Sequence, residues 1–427
     1  MTIFIFLVAL LGSILLGIPI AFSLLICGVA LMLHLDMFDA QILAQNLLGG
    51  ADNSALLAIP FFILAGEIMN SGGLSKRIID LPMKLVGHKQ GGLGFVAIIA
   101  AMLMGSLSGS AVADTAAVGA ILIPMMRSTG YPVNRSAGLI AAGGIIAPII
   151  PPSIPFIIFG VTSGVSITKL FLAGLFPGLV MGLVLAITWR WQSKKMNVVP
   201  FKKATRIEIL ESLKNGSWAL LLPVIIVGGF RFGIFTPTEA GAVAAFYALF
   251  VSVVIYRDLK LSQLYSILLA SAKTSAIVMF LVAAASVSGW LITIAELPIM
   301  VGDLLQPLVN SPQILILVIM LIVFIIGMMM DLTPTVLILT PVLMPIVHEA
   351  GIDPVYFGVL FILNASIGLI TPPVGNVLNV ITGIAKIEFD EAAKGVFPYV
   401  IVLLLMLIIF SLFPQLILMP LHWIQPA

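Results

Sequence analysis

Charged residues are scarce in this sequence of 427 residues. Only 9% of the residues are Asp, Glu, Lys or Arg, whereas 61% are hydrophobic. Soluble domains are about 25% charged, so this composition excludes an ordinary soluble protein and indicates a chain that lies mostly in a lipid bilayer. The net charge of +2 offers no basic patch for a nucleic acid, which we exclude as a partner.

Cysteine and enzyme motifs are also nearly missing. The one cysteine, Cys27, lies in an apolar run and rules out an internal disulfide. The sequence has no GxxxxGK[ST] motif for ATP, no HExxH metal motif and no GxSxG nucleophile motif. We therefore expect neither an enzyme nor a pump with its own ATPase.

Long apolar runs fill most of the chain. A helix needs about 20 apolar residues to cross a hydrocarbon core of ~30 Å, and we expect five such crossings in each half. Two further runs, residues 91–128 and 311–349, are broken near the middle by GSLSGSAVADT and GMMMDLTPT. We interpret both as re-entrant helical hairpins. The sequence predicts an all-α integral membrane protein.

The most polar stretch, residues 192–216, separates the two halves. It is rich in Lys and Arg, which indicates a cytoplasmic connector because cytoplasmic loops carry an excess of these residues. With this connector inside, the loops with Arg135 and Lys394 also fall inside, and the loops with Asp36 and Asp353 fall outside. Both termini are then expected on the outer side.

The two halves are internal repeats at a constant spacing. Pro345 follows Pro124 by 221 residues, and the double prolines at 151–152 and 372–373 have the same spacing. Five crossings are an odd number, so the second copy must be inverted relative to the first, as in many secondary transporters. The first repeat covers residues 1–191, with scaffold helices 1–90, hairpin 91–128, broken helix 132–164 and span 169–191; the second covers 217–427, with scaffold 217–296, hairpin 311–349, broken helix 354–385 and span 396–413.

Each hairpin tip gathers polar and small residues at membrane depth. The first tip contains Ser106, Ser108, Gly109 and Ser110, and Asp331 in the second tip corresponds to Ser110 at the repeat spacing. Hydroxyl and carbonyl oxygens suit an alkali cation, although small residues also allow two helices to approach closely. Asp331 is a functional candidate because acids inside membranes are rare and costly; it has the chemistry to bind substrate, sodium or a proton.

A broken helix follows each hairpin. The double prolines in IIAPIIPPSIP and LITPPVGN remove amide donors and free carbonyl oxygens, so the helix must unwind there. The restarted half-helices point positive N-termini at the site, which favours an anionic substrate group. A proline kink kept for packing is the other interpretation of either segment alone. Elsewhere, Thr236 and Glu239 match a capping box, and Glu67 is expected at the membrane interface.

The chain resembles a known family over its whole length. The runs GSLSGSAVADTAAVGAILIPMM, APIIPPSIPFIIFG, FTPTEAGAVAAFYAL and ITPPVGNVLNV are similar to the large membrane subunit, DctM type, of TRAP transporters. The resemblance implies a carrier in the bacterial inner membrane that is driven by two or more sodium ions. It further implies a carboxylate substrate from a periplasmic binding protein, a separate small four-helix membrane subunit, and an elevator in which hairpins and broken helices move against a scaffold.

The resemblance also implies the site residues. Sodium is expected at each hairpin tip together with the adjacent unwound helix, and the substrate between the tips. The expected sodium ligands are Ser106, Ser108, Gly109, Gly144 and Pro148 at the first tip, and Gly327, Met330, Thr333 and Thr371 at the second. The expected substrate-binding residues are Ser110, Ser153, Asp331 and Asn376.

The residues of these motifs most resemble the sialic acid branch of the family, so the expected substrate is sialic acid, N-acetylneuraminate. C4-dicarboxylate carriers share the motifs, but an ionised Asp331 would repel a dianion, whereas a polyhydroxylated acid would use the oxygens of Ser110, Ser153 and Asp331. An ion channel is the rival class. It would need a continuous polar pore, and the sequence has isolated polar tips instead.

Overall fold

A computed structural model describes residues 2–194, 196, 198 and 200–424. Within these ranges the chain forms twenty α-helices and no β-strand. Residue 1 and residues 425–427, on which the expected orientation of the termini depends, lie outside the described residues, as do Lys195, Asn197 and Val199 of the connector.

The helices follow one another with short connections. In the first half they are α1 (Thr2–Leu15), α2 (Ile20–His34), α3 (Ala40–Ala51), α4 (Ala58–Ser71, preceded by a 3₁₀ turn at Ser54–Leu57), α5 (Leu74–Val86), α6 (Gly92–Ser108), α7 (Ala111–Ser128), α8 (Val133–Gly144), α9 (Ile154–Ser163) and α10 (Ile167–Ser193). In the second half they are α11 (Arg206–Arg231), α12 (Pro237–Phe250, extended by a π-helical turn at Val251–Ile255), α13 (Leu261–Ile294), α14 (Leu297–Val309), α15 (Pro312–Gly327), α16 (Leu332–Glu349), α17 (Pro354–Gly368), α18 (Asn376–Ala385), α19 (Phe389–Leu412) and α20 (Gln415–Ile424).

Eight helical segments of the described chain are long and apolar enough to cross a membrane. The longest, α10 and α13, contain 27 and 34 residues. Two of the expected crossings, α1 and α2, have only 14 and 15 helical residues, fewer than a straight span of ~30 Å requires. Together with the missing strands, these helices identify an all-α membrane protein.

Both expected hairpins are present as pairs of helices joined by a very short turn. Only Gly109 and Ser110 separate α6 from α7. Gly109 has a φ of +61°, a left-handed conformation that glycine adopts without the steric cost of a side chain. Ser110 then caps α7 by accepting a hydrogen bond from the backbone N–H of Ala113 at 3.3 Å. In the second hairpin, residues 328–331 join α15 to α16.

Both expected broken helices are interrupted at the double prolines. The first stops at Gly144 and restarts at Ile154, where the hydroxyl of Ser153 caps α9. The second stops at Gly368 and restarts at Asn376. Prolines cannot donate the backbone hydrogen bonds that a continuous helix would need, which explains why both helices break in the same place of the repeat.

The structure adds helices that the apolar runs did not predict. The amphipathic helices α3 and α5 lie in segments predicted only as parts of the scaffold. Helix α14 lies between the predicted scaffold and the predicted second hairpin, where no element was expected, and α13 begins 14 residues before the expected crossing at Ser275. The second part of the connector is also helical, because α11 begins at Arg206. Thr205 and Glu208 form a capping box there, with the Thr205 N–H donating to Oε2 of Glu208 at 2.6 Å.

Two groups of helices pack against each other. Helices α7 to α10 contact the second-half helices α16 to α19, and α6 contacts α7, α8 and α10. Helix α4 packs on α12 and α13. The α13 helix also contacts α16, and α4 contacts α6 and α9. The hairpins and broken helices therefore form one body, and α4 and α13 form the wall beside it.

One end of the bundle carries a basic face, which we define by Lys89, Arg135, Arg190, Lys194 and Lys394. The last turns of α10 lie between two cavities that these residues line. On one side α10 borders a cavity with Arg135 and Lys394, and on the other side it borders a cavity with Lys89, Arg190 and Lys194. The connector leaves α10 from the same end.

Candidate functional site

A cavity of about 330 Å³ lies between the two hairpin tips. Its volume falls in the range of ~300–1,000 Å³ that is usual for small-molecule sites. Four kinds of element meet there: both hairpins, both broken helices, α4 and α13. We call it the inter-tip cavity, and its lining includes Glu67, Asn70, Ser108, Gly109, Ser110, Pro148, Pro155, Thr274, Asp331, Thr333 and Leu369.

The first tip is held by hydrogen bonds within itself. The hydroxyl of Ser108 donates to Oδ1 of Asp114 at 2.5 Å and accepts from the backbone N–H of Ser110 at 3.1 Å. Asp114 is almost fully buried, at 1% exposure. Ser106 donates to the carbonyl of Leu103 at 2.6 Å. The tip thus presents a compact set of oxygens to the protein interior.

The first tip packs closely against the first broken helix. A Cβ at Gly109 would lie 2.7 Å from the carbonyl oxygen of Pro152, and one at Gly144 would overlap with Oγ1 of Thr115. These glycines are therefore required for close packing. They place Gly144 of the first broken helix against Thr115 of the first hairpin.

Ser153 does not line the cavity. It is fully buried, its hydroxyl donates to the carbonyl of Pro148 at 2.5 Å, and it accepts from the N–H of Phe156 at 3.3 Å. This hydroxyl holds the broken helix together, so in this structure it is not available to a substrate.

The second tip brings Asp331 and Asn376 together. The Nδ2 of Asn376 lies 3.4 Å from Oδ1 of Asp331, and both side chains are half-buried. Asp331 and Thr333 line the inter-tip cavity, whereas Asn376, which was expected to bind substrate, is not among its lining residues. Asp331 immediately precedes α16, but its carboxylate does not cap the helix and accepts a hydrogen bond from Asn376 instead.

Gly327 and Thr371 of the second group lie where the second hairpin meets the second broken helix. A Cβ at Gly327 would lie 3.2 Å from Cα of Ala365, and a Cβ at Gly368 would lie against the backbone of Gly327. The hydroxyl of Thr371 donates to the carbonyl of Ile367 at 2.8 Å. The second hairpin therefore packs on the second broken helix as the first hairpin does on the first.

Sequence reasoning missed the contribution of the scaffold wall. Glu67 and Asn70 of α4, and Thr274 and Val278 of α13, line the inter-tip cavity. Glu67 was expected at the membrane interface; in the structure it lines the inter-tip cavity. Its helix α4 packs beside the first tip, where a Cβ at Gly66 would lie 3.6 Å from Cα of Ser108. The sequence did contain a signal for this face, because Glu67 and Asn70 are polar residues about one helical turn apart on a largely apolar helix.

The protein's relatives agree with this architecture. Residues 7–416 match the model of the family described as the tripartite ATP-independent periplasmic transporter, DctM component. The chain belongs to this family. As a component of a tripartite TRAP transporter, a DctM protein works with a substrate-binding protein and a small membrane subunit.

Individual relatives are similar along their whole length. A putative TRAP transporter large permease protein of Haemophilus influenzae is 72% identical over 425 residues, covering 100% of both chains. The 2,3-diketo-L-gulonate TRAP transporter large permease protein YiaN of Escherichia coli is 68% identical over 425 residues, again covering 100% of both. The sialic acid TRAP transporter large permease protein SiaM of Vibrio cholerae is 40% identical and covers 95% of each chain.

A solved structure shares the fold. The crystal structure of the YdaH transporter of Alcanivorax borkumensis has a TM-score of 0.64 at 14% identity, covering 88% of this chain and 89% of that one. This likeness concerns the fold alone. The match to the family model and the sequence relatives confirm the predicted DctM family, and the chain is a multi-pass large permease. The sialic acid branch is not confirmed, because SiaM is a more distant relative than the two large permeases above.

Proposed function

We propose that this DctM chain imports a monoanionic sugar acid of the 2,3-diketo-L-gulonate class into a bacterial cell, driven by sodium. The observation that carries the proposal is the inter-tip cavity, lined by both hairpin tips and both broken helices. Discontinuous helices that meet around a central cavity are the usual binding site of carriers with inverted repeats.

The lining favours a hydroxylated monoanion. Two carboxylates, Glu67 and Asp331, line the cavity together with the hydroxyls of Ser108, Ser110 and Thr333. A dicarboxylate would be repelled by both acids, whereas the hydroxyl groups of a sugar acid donate hydrogen bonds to them. The name of YiaN, at 68% identity, supports a diketogulonate-like acid, and N-acetylneuraminate, our expectation from sequence, becomes the second candidate.

Sodium is proposed as the co-transported ion, with its first site at the first tip. Two buried oxygens there have no partner among the described residues: Oδ2 of Asp114 and Oγ1 of Thr115, the latter next to Gly144. Unpartnered buried oxygens are costly, and a hard cation takes such ligands. Ser106, Ser108, Gly109 and Pro148 complete the proposed group, to which Asp114 and Thr115 are additions.

A second sodium site is proposed at the second tip, from Gly327, Met330, Thr333 and Thr371. The close packing of Gly327 against Ala365 and Gly368 supports this grouping. Cations at the two tips would offset the negative charge of Asp331 and so raise the affinity for an anion. Coupling in this scheme is a difference of affinity between ion-bound and ion-free states.

An elevator movement accounts for alternating access. The hairpins and broken helices would move as one body along the wall of α4 and α13. Asn70 lines both the inter-tip cavity and a cavity with Lys76, Arg77 and Asn215 next to the connector. We therefore propose that the present arrangement opens towards the cytoplasm.

The proposed setting is the inner membrane, with the basic face in the cytoplasm and both termini in the periplasm. The periplasmic binding protein delivers the acid on the outer side, and a separate small four-helix subunit completes the membrane part. Isolated polar tips, in place of rings of charge along a pore, favour this carrier over a channel.

The test is uptake by proteoliposomes that contain the chain and its small subunit, with binding protein outside. Radiolabelled 2,3-diketo-L-gulonate and N-acetylneuraminate are compared under an inward sodium gradient and under an equal potassium gradient. We expect 2,3-diketo-L-gulonate to accumulate under the sodium gradient and not under the potassium gradient. Uptake of N-acetylneuraminate instead would change the substrate and keep the mechanism, while equal uptake with both cations would refute sodium coupling.

A further inference from the structure

A second polar cavity lies on the basic face, where α8 and α19 begin and α10 ends. Its volume is about 320 Å³, and it shares no lining residue with the inter-tip cavity. We call it the basic cavity. Its lining consists of Asn134, Arg135, Trp191, Gln192, Lys394, Gly395 and Pro398.

Close packing of two glycines brings together the helices that carry the two cations of this cavity. The helices α8 and α19 cross so tightly that a Cβ at Gly138 would overlap with the backbone of Gly395, and a Cβ at Gly395 with that of Asn134. Arg135 and Lys394 stand beside this crossing and border the same cavity. Like charges held together are unfavourable unless an anion lies between them.

No protein carboxylate neutralises this pair among the residues that the structure describes. In the described part of the chain, the ion pair with nitrogen and oxygen within 4 Å is that of Arg77 with Asp258, which lies outside this cavity. Asp390 and Glu391 lie one turn before Lys394 on α19, but neither lines the cavity nor forms an ion pair with it. The two positive charges are therefore available to a ligand.

Gln192 adds a buried donor to the same wall. Its side chain is 7% exposed, and its Nε2 has no hydrogen-bond partner within the described chain. A buried N–H group without an acceptor costs about 1–3 kcal/mol. Arg135, Lys394 and Gln192 are thus three potential donors in the lining of one cavity, and that lining contains no acidic side chain.

The position of the cavity points to a phosphate group as the acceptor. A guanidinium binds two oxygens of a phosphate side by side. Trp191, which lines the cavity, is 66% exposed, and Ile187 one turn earlier is 60% exposed, so this side of α10 is not covered by the rest of the described chain. A basic pocket between membrane helices on the cytoplasmic side is where anionic headgroups bind.

We propose that the basic cavity binds a phosphate-bearing anion, either the headgroup of an anionic lipid or a soluble phosphate. Because α8 runs from this cavity to Gly144 at the first tip, an anion there also steadies the start of the first broken helix. This proposal uses neither sodium nor the sugar acid, so it stands apart from the transport mechanism.

The test measures binding to the purified full chain by the shift in its thermal unfolding temperature. The probes are dioctanoyl-phosphatidylglycerol, dioctanoyl-phosphatidylcholine, sn-glycerol 3-phosphate and inorganic phosphate. The double variant Arg135→Gln/Lys394→Gln removes two exposed positive charges at the cavity. Its matched control, Lys202→Gln/Lys203→Gln, removes two exposed positive charges from the connector.

We expect the double variant to bind the anionic probe at least about tenfold more weakly, with the control pair unchanged. A shift with phosphatidylglycerol that the soluble phosphates do not produce identifies a lipid headgroup. An equal shift with glycerol phosphate or inorganic phosphate identifies a soluble phosphate. The proposal is overturned if no anionic probe binds, or if the control pair weakens binding as much as the cavity pair.

Discussion

The side-chain nitrogen Nδ2 of Asn376 lies 3.4 Å from Oδ1 of Asp331. This contact joins the start of α18 to the start of α16, so the second broken helix touches the second hairpin tip at a carboxylate. The positive N-terminus of α18 lies at the same point and favours negative charge there. In the proposed mechanism, Asp331 responds both to a cation at the tip and to a substrate in the cavity.

Replacing Asp331 with Asn tests its charge without changing its shape. The variant loses a charge-assisted hydrogen bond, which is worth about 1.5–3 kcal/mol, so we expect the KM for sugar-acid uptake to rise about tenfold or more. Initial uptake rates across substrate concentrations measure it. The matched control is Asp303→Asn, an exposed acid of α14. An unchanged KM in the Asp331 variant would remove it from the substrate site.

Glu67→Gln tests the contribution of the scaffold wall. Because Glu67 lines the cavity from α4, we expect the KM to rise by about tenfold, from the loss of one charge-assisted contact. Asp52→Asn, an exposed acid after α3, serves as the control and should leave the KM unchanged. Equal kinetics of both variants would return Glu67 to the interfacial role expected from the sequence.

Thr115→Val tests the first sodium site. The substitution keeps the shape of the side chain and removes an unpartnered oxygen beside Gly144. We expect the sodium concentration for half-maximal uptake to rise about tenfold, with the KM for the acid at saturating sodium little changed. Thr188→Val, whose hydroxyl bonds to Val184 within α10, is the control. A normal sodium dependence in the Thr115 variant would contradict this site.

Gly138→Ala tests the crossing of α8 and α19. The added methyl group would overlap with the backbone of Gly395, and such overpacking costs about 1–3 kcal/mol. We expect a lower thermal unfolding temperature. Gly228→Ala in α11 meets nothing within 4 Å and should hold or raise the temperature, since alanine favours a helix. Similar temperatures for the two variants would show that the crossing tolerates a side chain.

Much of the fold follows from the sequence, because helix-breaking residues inside apolar segments mark the positions of turns and helix interruptions. Gly109 and the double prolines mark the first tip and both interruptions, and the structure places turns and breaks there. The capping box of Thr236 and Glu239 is confirmed, with the Thr236 N–H donating to Oε2 of Glu239 at 2.8 Å. These features depend on residues that are close together in the chain, so they can be predicted from the sequence.

The site was less predictable because it depends on packing between distant helices. Ser153 was expected to face the substrate, yet its hydroxyl bonds to Pro148, since a helix restart needs a cap. Glu67 was expected at an interface, yet α4 brings it to the first tip. Neither outcome follows from spacing along the chain, because each depends on which face of one helix meets another.

The central claim is that sodium prepares the inter-tip cavity for a sugar acid. The most direct measurement is the Kd of 2,3-diketo-L-gulonate for the purified membrane complex, taken by calorimetry across a series of sodium concentrations at constant ionic strength. We predict that the Kd falls as the sodium concentration rises, and that this dependence is lost in Asp331→Ala. A Kd that is the same at every sodium concentration would contradict it.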